Sequence, residues 1–157
     1  MRLQSFRAAV LLAAFSVGVC SAQIADLSGT WRLNVQKSRW GNLQKPFSIL
    51  VTVEHKEPLL KYSGTMVYSG GEDTRTFAFS GAIDGKEYPI TRSFGKGKVV
   101  IQRINNWTTE SVFRSDDGQW SETTRTSLSR DGKQMRRTIR RKGPEGELNW
   151  TEVYERS

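Results

Sequence analysis

Residues 47–54 read Phe-Ser-Ile-Leu-Val-Thr-Val-Glu, and this stretch decides the fold that the sequence predicts. In an extended chain Phe47, Ile49, Val51 and Val53 share one face, because successive side chains of a strand point to opposite sides. Alternation of this kind, rich in aromatic and β-branched residues, is typical of a strand with one buried face. We therefore expect a half-buried β-strand here.

The same alternation recurs along the rest of the chain. Further apolar faces are found in residues 60–68, 77–79, 88–94, 107–113 and 148–154. Clusters of Gly, Asn and Asp separate these stretches, and such residues tolerate the positive φ of tight hairpin turns. The sequence predicts an all-β fold of about eight to ten antiparallel strands in an up-and-down meander, which closes into a β-barrel to remove its exposed edges. A two-sheet sandwich is the alternative. Pro89 predicts a bulge or a strand start.

The first 22 residues have the pattern of a secretory signal peptide rather than of a folded element. Arg2 and Arg7 precede an uncharged apolar stretch, residues 8–20, which is shorter than the roughly 20 residues of a membrane-spanning helix. Cys20 and Ala22 provide small residues at the −3 and −1 positions of a cleavage site. We expect cleavage after Ala22, a barrel domain at 23–157, and a secreted or periplasmic product. Acylation of Cys20 is the alternative.

Removal of the signal peptide changes the composition in a way that excludes several kinds of chemistry. Loss of Arg2 and Arg7 leaves 22 of the 24 basic residues against all 16 acidic ones, a net charge of +6, and Cys20 is the one cysteine. Disulfides, thiol nucleophiles and cysteine-based zinc sites are therefore excluded from residues 23–157.

The case for catalysis is weak on the remaining residue types. His55 is the sole histidine and falls in a stretch, residues 55–58, that we expect to be a surface hairpin connection. Nucleophile-elbow and metal-ligand motifs are absent from the sequence, and residues 116–118 are typical of a turn. We expect a monomer that is not an enzyme and has no cofactor or metal. A carboxylate pair formed in space is the catalytic arrangement that stays open.

The two ends of the predicted domain carry a family resemblance. Gly29-Thr30-Trp31 on the first strand and Thr151–Arg156 on the last resemble the calycin superfamily, which includes lipocalins, fatty-acid-binding proteins and avidins. Residues 29–34 are also similar to the start of a group of small exported bacterial proteins. The resemblance implies a lipocalin-like barrel whose first and last strands pair, closed by Gly29, Trp31 and an arginine across the indole. Arg156 is the candidate by position, and Arg141 is the alternative.

The chain also departs from the fatty-acid-binding proteins. In that family an arginine lies two residues before the tyrosine of the last strand and binds the lipid carboxylate; here Glu152 precedes Tyr154. Only Tyr154 carries over from that set. The helical lid is missing as well, since about eleven residues, 36–46, separate the first two strands. We expect a ligand other than a fatty acid bound in that family's way.

Charged residues share the predicted inner faces with apolar ones. Arg75, Arg92 and Arg137 are in phase with apolar neighbours, and Glu122 and Glu152 are the available partners, because a buried charge requires one. These residues form an internal ion-pair network, or their register is shifted by one residue, or they anchor a ligand in a cavity. The candidate ligand-binding residues are Tyr62, Phe79, Trp107, Trp120, Arg137, Trp150, Glu152 and Tyr154. The expected function is an exported binding protein for a small, partly apolar ligand, unless side chains fill the barrel.

The basic stretch at residues 125–142 supports a second function. Arg136, Arg140 and Lys142 share a strand face opposite Met135 and Ile139, and Arg125 lies upstream. Such a stripe attracts polyanions. For an exported protein, anionic envelope lipid or acidic polysaccharide is a more suitable partner than nucleic acid, which we do not expect. A solvated edge that resists strand pairing explains the same charges without a partner.

Overall fold

The structure, a computed structural model, describes residues 23–157; the predicted signal peptide lies outside the described residues. It consists of ten strands and one short 3-10 turn, Ser69–Gly71. The strands are β1 (Gly29–Leu33), β2 (Ser48–Lys56), β3 (Leu59–Tyr68), β4 (Asp73–Ala82), β5 (Glu87–Arg92), β6 (Gly97–Asn105), β7 (Thr108–Ser115), β8 (Ser121–Leu128), β9 (Gln134–Gly143) and β10 (Gly146–Arg156). None of the described residues forms an α-helix, and so none of them forms a helix long and apolar enough to cross a membrane.

Each strand pairs antiparallel with its neighbours in sequence, and β1 pairs with β10 to close the barrel. The closing pairs include Trp31 opposite Arg156 and Leu33 opposite Tyr154. Closure leaves no free edge on the sheet, which removes the sites at which another chain would add a strand. The predicted all-β meander barrel is confirmed, and the two-sheet sandwich is not observed.

The period-two pattern places the core inside the barrel, with two corrections, both near the start of a strand. Ile49, Val51 and Val53 are buried as expected, but Phe47 is 77% exposed. Phe47 precedes β2, and its N–H bonds to the Val67 carbonyl, so the strand alternation does not yet govern its side chain. Leu148 likewise is exposed near the start of β10.

One end of the barrel is covered by the segment 23–28, and we call it the closed end. Ala25 and Leu27 are buried there, and the Ala25 N–H donates to the Asn106 carbonyl. The Leu27 N–H donates to Nδ1 of His55 at 3.2 Å, and Nε1 of Trp31 donates to the Leu27 carbonyl at 2.9 Å. These bonds fix the segment across the barrel.

The opposite end, which we call the mouth, is bounded by the connections 34–47, 69–72, 93–96, 116–120 and 144–145. The first of these runs along β10, where Arg39 and Thr151 form a two-residue bridge. It then turns Trp40 into the barrel, where the indole is buried. A short ordered connection thus partly covers this end in place of a helical lid.

Two local predictions need correction. His55 is not on the surface: it belongs to β2, its side chain is 4% exposed, and Nε2 lies 2.8 Å from the Glu57 carboxylate. The covering segment 23–28, which the local pattern does not reveal, buries it. Pro89 lies within β5 rather than at its start, just beyond Ile90↔Phe79, the last pair of the β4 ladder. A proline is tolerated where that ladder has ended, because it has no N–H to donate.

Candidate functional site

A cavity of about 230 Å³ lies inside the barrel and extends to the mouth. Most of its wall is aliphatic and aromatic, including Val51, Tyr62, Phe77 and Ile101. Six charged side chains interrupt this wall: Arg75, Arg92, Glu122, Arg137, Arg141 and Glu152. The four cations exceed the two anions, so the lining carries a formal charge of +2.

Four of the eight predicted ligand-binding residues line this cavity. They are Tyr62, Arg137, Trp150 and Glu152. Phe79 lies behind the wall, stacked on Tyr62 with 5.1 Å between ring centroids. Tyr154 is fully buried and reaches the cavity only through its bond to Glu152.

The two remaining tryptophans lie at opposite ends of the barrel and are not part of the cavity lining. Trp107 lies in the turn between β6 and β7 at the closed end, with the Arg130 guanidinium 4.7 Å from its ring. Trp120 lies just before β8 and packs on Gly143, where an added Cβ would come within 2.2 Å of the indole. Both tryptophans are adjacent to strands but lie in the connections between them. Strand periodicity therefore does not set the direction of their side chains.

Glu152 is the centre of a buried hydrogen-bond network. Its carboxylate accepts from Trp150 Nε1 at 2.9 Å, from the Tyr154 hydroxyl at 2.9 Å and from Arg137 at 3.0 Å. Alternation along β10 puts residues 150, 152 and 154 on the inner face, and Arg137 lies directly opposite on β9. Three donors to one carboxylate satisfy a buried charge that would otherwise be costly.

This network shifts the ionisation of its members. Burial acts to lower the pKa of Arg137, but the Glu152 carboxylate and the neighbouring tyrosines outweigh it and raise the pKa above its usual value. Burial, followed by the Glu152 charge, raises the pKa of Tyr154 well above its usual value. Burial raises the pKa of Tyr62 to about 12. At neutral pH the two tyrosines are therefore neutral and Arg137 is charged.

A second ion pair lies nearer the mouth. Nε and Nη2 of Arg141 both donate to Oε2 of Glu122, at 3.0 and 2.8 Å. The Arg141 guanidinium also lies 4.9 Å from the Trp150 ring. The register places Arg141 and Glu122 directly opposite each other on β9 and β8. Of the three arginines expected on inner faces, Arg137 pairs with an expected partner, Glu152. Glu122 pairs with Arg141 instead, Arg75 pairs with Asp73, and Arg92 pairs with neither expected acid.

The mouth combines arginines with aromatic rings. Arg75 pairs with Asp73 at 2.7 Å and lies 4.8 Å from the Tyr68 ring. Arg92 lies 3.6 Å from the Phe113 ring and 4.7 Å from that of Phe94. Side chains here are partly open to solvent, with Arg75 39% and Arg141 34% exposed.

The barrel-closing residues meet at the closed end. Arg156, and not Arg141, lies over Trp31, with 4.4 Å between the guanidinium carbon and the ring centroid. Arg156 also donates to the carbonyls of Ser28, Asp26 and Gly132. Gly29 has φ +128°, a conformation that strains any residue with a Cβ, so the backbone favours glycine here. This cluster holds the barrel shut and is separate from the cavity.

Sequence reasoning missed the contribution of the β1–β2 connection. Trp40, Leu43 and Gln44 from this stretch line the cavity. The connection has no periodic pattern, so the sequence gives no direction for its side chains. The one available signal was a large aromatic residue in a short polar loop.

The basic stripe lies on the outside of the barrel. Arg136, Arg140 and Lys142 are exposed on the outer face of β9. Glu147 lies 4.0 Å from Arg140 and 3.7 Å from Lys142, and Arg125 pairs with Glu110 at 3.0 Å. Neighbouring acids therefore offset part of the positive charge of this surface.

Comparison of the chain with protein-family models and with curated proteins finds no match. The closed barrel of ten antiparallel strands is compatible with a calycin-like fold. Residues 23–157 hold no group of three or more His, Cys, Asp or Glu side chains placed to bind a metal ion. The cavity and the surface charges are therefore the features of the described residues that bear on function.

Proposed function

We propose that this chain is an exported, non-enzymatic binding protein that holds a small, partly apolar ligand inside the barrel. The observation that carries the proposal is the cavity of about 230 Å³ with its largely apolar wall and a few convergent polar groups. Binding sites for small molecules have this composition. Closure at one end and partial exposure at the other give the ligand one route of entry, through the mouth.

The cavity volume limits the size of the ligand. An apolar cavity of about 150 Å³ is large enough to bind benzene. The cavity of about 230 Å³ therefore suits a molecule on the order of ten non-hydrogen atoms. A long lipid chain does not fit within this volume.

The state of the carboxylates supports binding rather than catalysis. Glu122 and Glu152 are the carboxylates that line the cavity, and an arginine donates to each of them. Both carboxylates already accept hydrogen bonds from side chains of the wall, so their oxygens are engaged by the protein. Glu122 and Glu152 are thus suited to linking the strands of the cavity wall.

The test is a titration with naphthalene, which has ten non-hydrogen atoms, followed by calorimetry and by tryptophan emission. We expect saturable binding to the native protein and a change in emission that Trp150→Phe reduces, the remainder coming from Trp40. Ser111→Phe fills the cavity and should prevent binding, whereas Ser63→Phe, on the outer face of β3, should not. If neither naphthalene nor smaller and larger apolar probes bind the native protein, the proposal is wrong.

The second candidate function is a surface module that binds anionic lipid or acidic polysaccharide through residues 125–142. It is favoured by the exposed row Arg136, Arg140 and Lys142 on β9. We expect salt-sensitive binding to vesicles containing phosphatidylglycerol, weakened by Arg136→Glu with Arg140→Glu.

A matched control distinguishes a local surface from net charge. Lys98→Glu with Arg114→Glu makes the same charge change on an outward pair of β6 and β7. An equal loss of vesicle binding in the two double variants would contradict a binding surface on β9.

A further inference from the structure

Arg92 differs from the other three arginines of the cavity in having no acidic partner. Arg75 pairs with Asp73, Arg137 with Glu152 and Arg141 with Glu122, all at 3.0 Å or less. Within residues 23–157 no carboxylate lies within 4.0 Å of the Arg92 guanidinium. The acid that acts electrostatically on Arg92 is Glu122. Its carboxylate already accepts two hydrogen bonds from Arg141.

The surroundings of Arg92 make this cation costly. Its Nε is buried and lacks a hydrogen-bond partner, and its guanidinium lies against the Phe113 and Phe94 rings. Burial lowers the pKa of this group. Cation–π contacts return about 0.5–2 kcal/mol, which is less than the several kcal/mol that desolvation of an unpaired cation costs. An anion at this position would remove the imbalance.

A second unsatisfied donor lies in the wall of the same cavity. Nε1 of Trp40 is buried without a hydrogen-bond partner, and Trp40 belongs to the β1–β2 connection that covers the mouth. Arg92 ends β5 at the same end of the barrel. Both unsatisfied groups are donors, so what they require is an acceptor. A water molecule can accept a hydrogen bond but does not neutralise the charge of the Arg92 guanidinium.

We infer that the cavity binds a small organic carboxylate, with the carboxylate at the mouth against Arg92 and the apolar body inside against Tyr62, Phe77 and Ile101. A planar guanidinium pairs with a carboxylate through two parallel hydrogen bonds. The apolar wall and the limited volume then select a compact body, such as a phenyl group with a short chain. This inference rests on the proposed function and adds the charge and the orientation of the ligand.

The position differs from the carboxylate site of the fatty-acid-binding proteins described above. In the last strand the corresponding position holds Glu152, whose charge is fully engaged by Arg137, Trp150 and Tyr154. The free cation lies instead on β5, on another part of the wall. The ligand's charged group is therefore expected near the entrance rather than beside the closing strand.

The experiment compares 3-phenylpropanoate with 3-phenylpropanamide, which have the same number of non-hydrogen atoms and differ in charge. Calorimetry on the native protein should show the carboxylate binding about tenfold or more tightly. Arg92→Gln should abolish this preference, and Arg92→Lys, which keeps the charge without the planar fork, should retain part of it. Arg114→Gln removes an outward cation of β7 and should leave the preference unchanged.

The stability of the variants gives a readout that does not need a ligand. Removal of an unpaired buried cation relieves its desolvation cost, so Arg92→Met without ligand should unfold at the same urea concentration as the native protein or a higher one. A large loss of stability in Arg92→Met would show that the cation is already compensated by the protein, and the inference would be wrong.

The ligand results separate this inference from the function on which it rests. Equal binding of acid and amide by the native protein, or a preference that persists in Arg92→Gln, overturns the carboxylate assignment while cavity binding stands. Binding of naphthalene without binding of the carboxylate overturns it as well. Failure of all three compounds and of the smaller and larger apolar probes overturns both.

Discussion

Replacement of Glu152 by Gln tests whether the buried network holds the barrel wall together. The change keeps the shape of the side chain but removes its charge, so Arg137 loses its counter-ion. It also replaces one acceptor oxygen by an NH₂ group, and the donors of Trp150 and Tyr154 then compete for the oxygen that is left. At least one buried donor is left without an acceptor.

The magnitude follows from the exposure of the pair. Breaking a fully buried ion pair costs about 3–5 kcal/mol. The Glu152 side chain is 8% exposed but that of Arg137 is 28% exposed, so solvent screens part of the uncompensated charge. We expect a loss of about 2–4 kcal/mol, a large share of the roughly 5–15 kcal/mol that stabilises a typical domain.

Equilibrium unfolding in urea, followed by tryptophan emission, measures this loss. For an m-value of about 2 kcal/mol/M, in the middle of the usual range for urea, the midpoint should fall by about 1–2 M. Glu147→Gln is the control, because Glu147 is exposed and lies at the limit of pairing distance from Arg140 and Lys142. It should change the free energy of unfolding by about 0.5 kcal/mol or less.

A double-mutant cycle decides whether the effect comes from the ion pair. Arg137→Met combined with Glu152→Gln removes the stranded cation, so the double variant should cost at least about 1 kcal/mol less than the sum of the single variants. If the two costs simply add, or if Glu152→Gln alone is nearly neutral, the assignment of this network to barrel stability is refuted.

Three further perturbations have defined outcomes. Arg156→Met removes the cation over Trp31 and its bonds to backbone carbonyls, and urea unfolding should show a loss of about 1–3 kcal/mol; an unchanged midpoint would count against a closing role. Gly143→Ala places a Cβ 2.2 Å from the Trp120 ring and should cost about 1–3 kcal/mol with a shift in emission, whereas a neutral result would mean that the indole moves aside freely. Because the pKa of Tyr62 is raised from 10.0 to about 12, its contribution to stability is complete below pH 10 and is lost progressively as the pH rises to about 12. Unfolding measured from pH 9 to 12 should show this decline, and Tyr62→Phe should reduce it by roughly 2 kcal/mol at pH 12; the same decline in both proteins would contradict the shift.

The barrel could be predicted because its determinants are local. Alternation along residues 49–53 and the Gly and Asp turns are read directly from neighbouring positions, and they are consistent over the whole domain. The inward direction of Arg137 and Glu152 follows from the same period. Phe47 was assigned to the wrong face because alternation does not show the residue at which a strand begins.

What could not be predicted depends on contacts between distant parts of the chain. His55 continues the inner face of β2, but its burial comes from Leu27, which lies 28 residues away. Trp40 reaches the cavity from a connection without periodicity. The lack of a partner for Arg92 depends on which residues oppose one another across several strands, and a sequence pattern gives the face of a residue but not its distance from every acid.

Both ends of the described chain leave the barrel on the same side. Residues 23–28 cover the closed end, and at the other terminus the Ser157 N–H donates to the Thr30 carbonyl. A fusion partner, an affinity tag or an attachment to a sensor surface at either end would therefore project away from the mouth. Ligand access would be the same in immobilised and free protein, and the entrance would face outward from whatever the chain is fixed to.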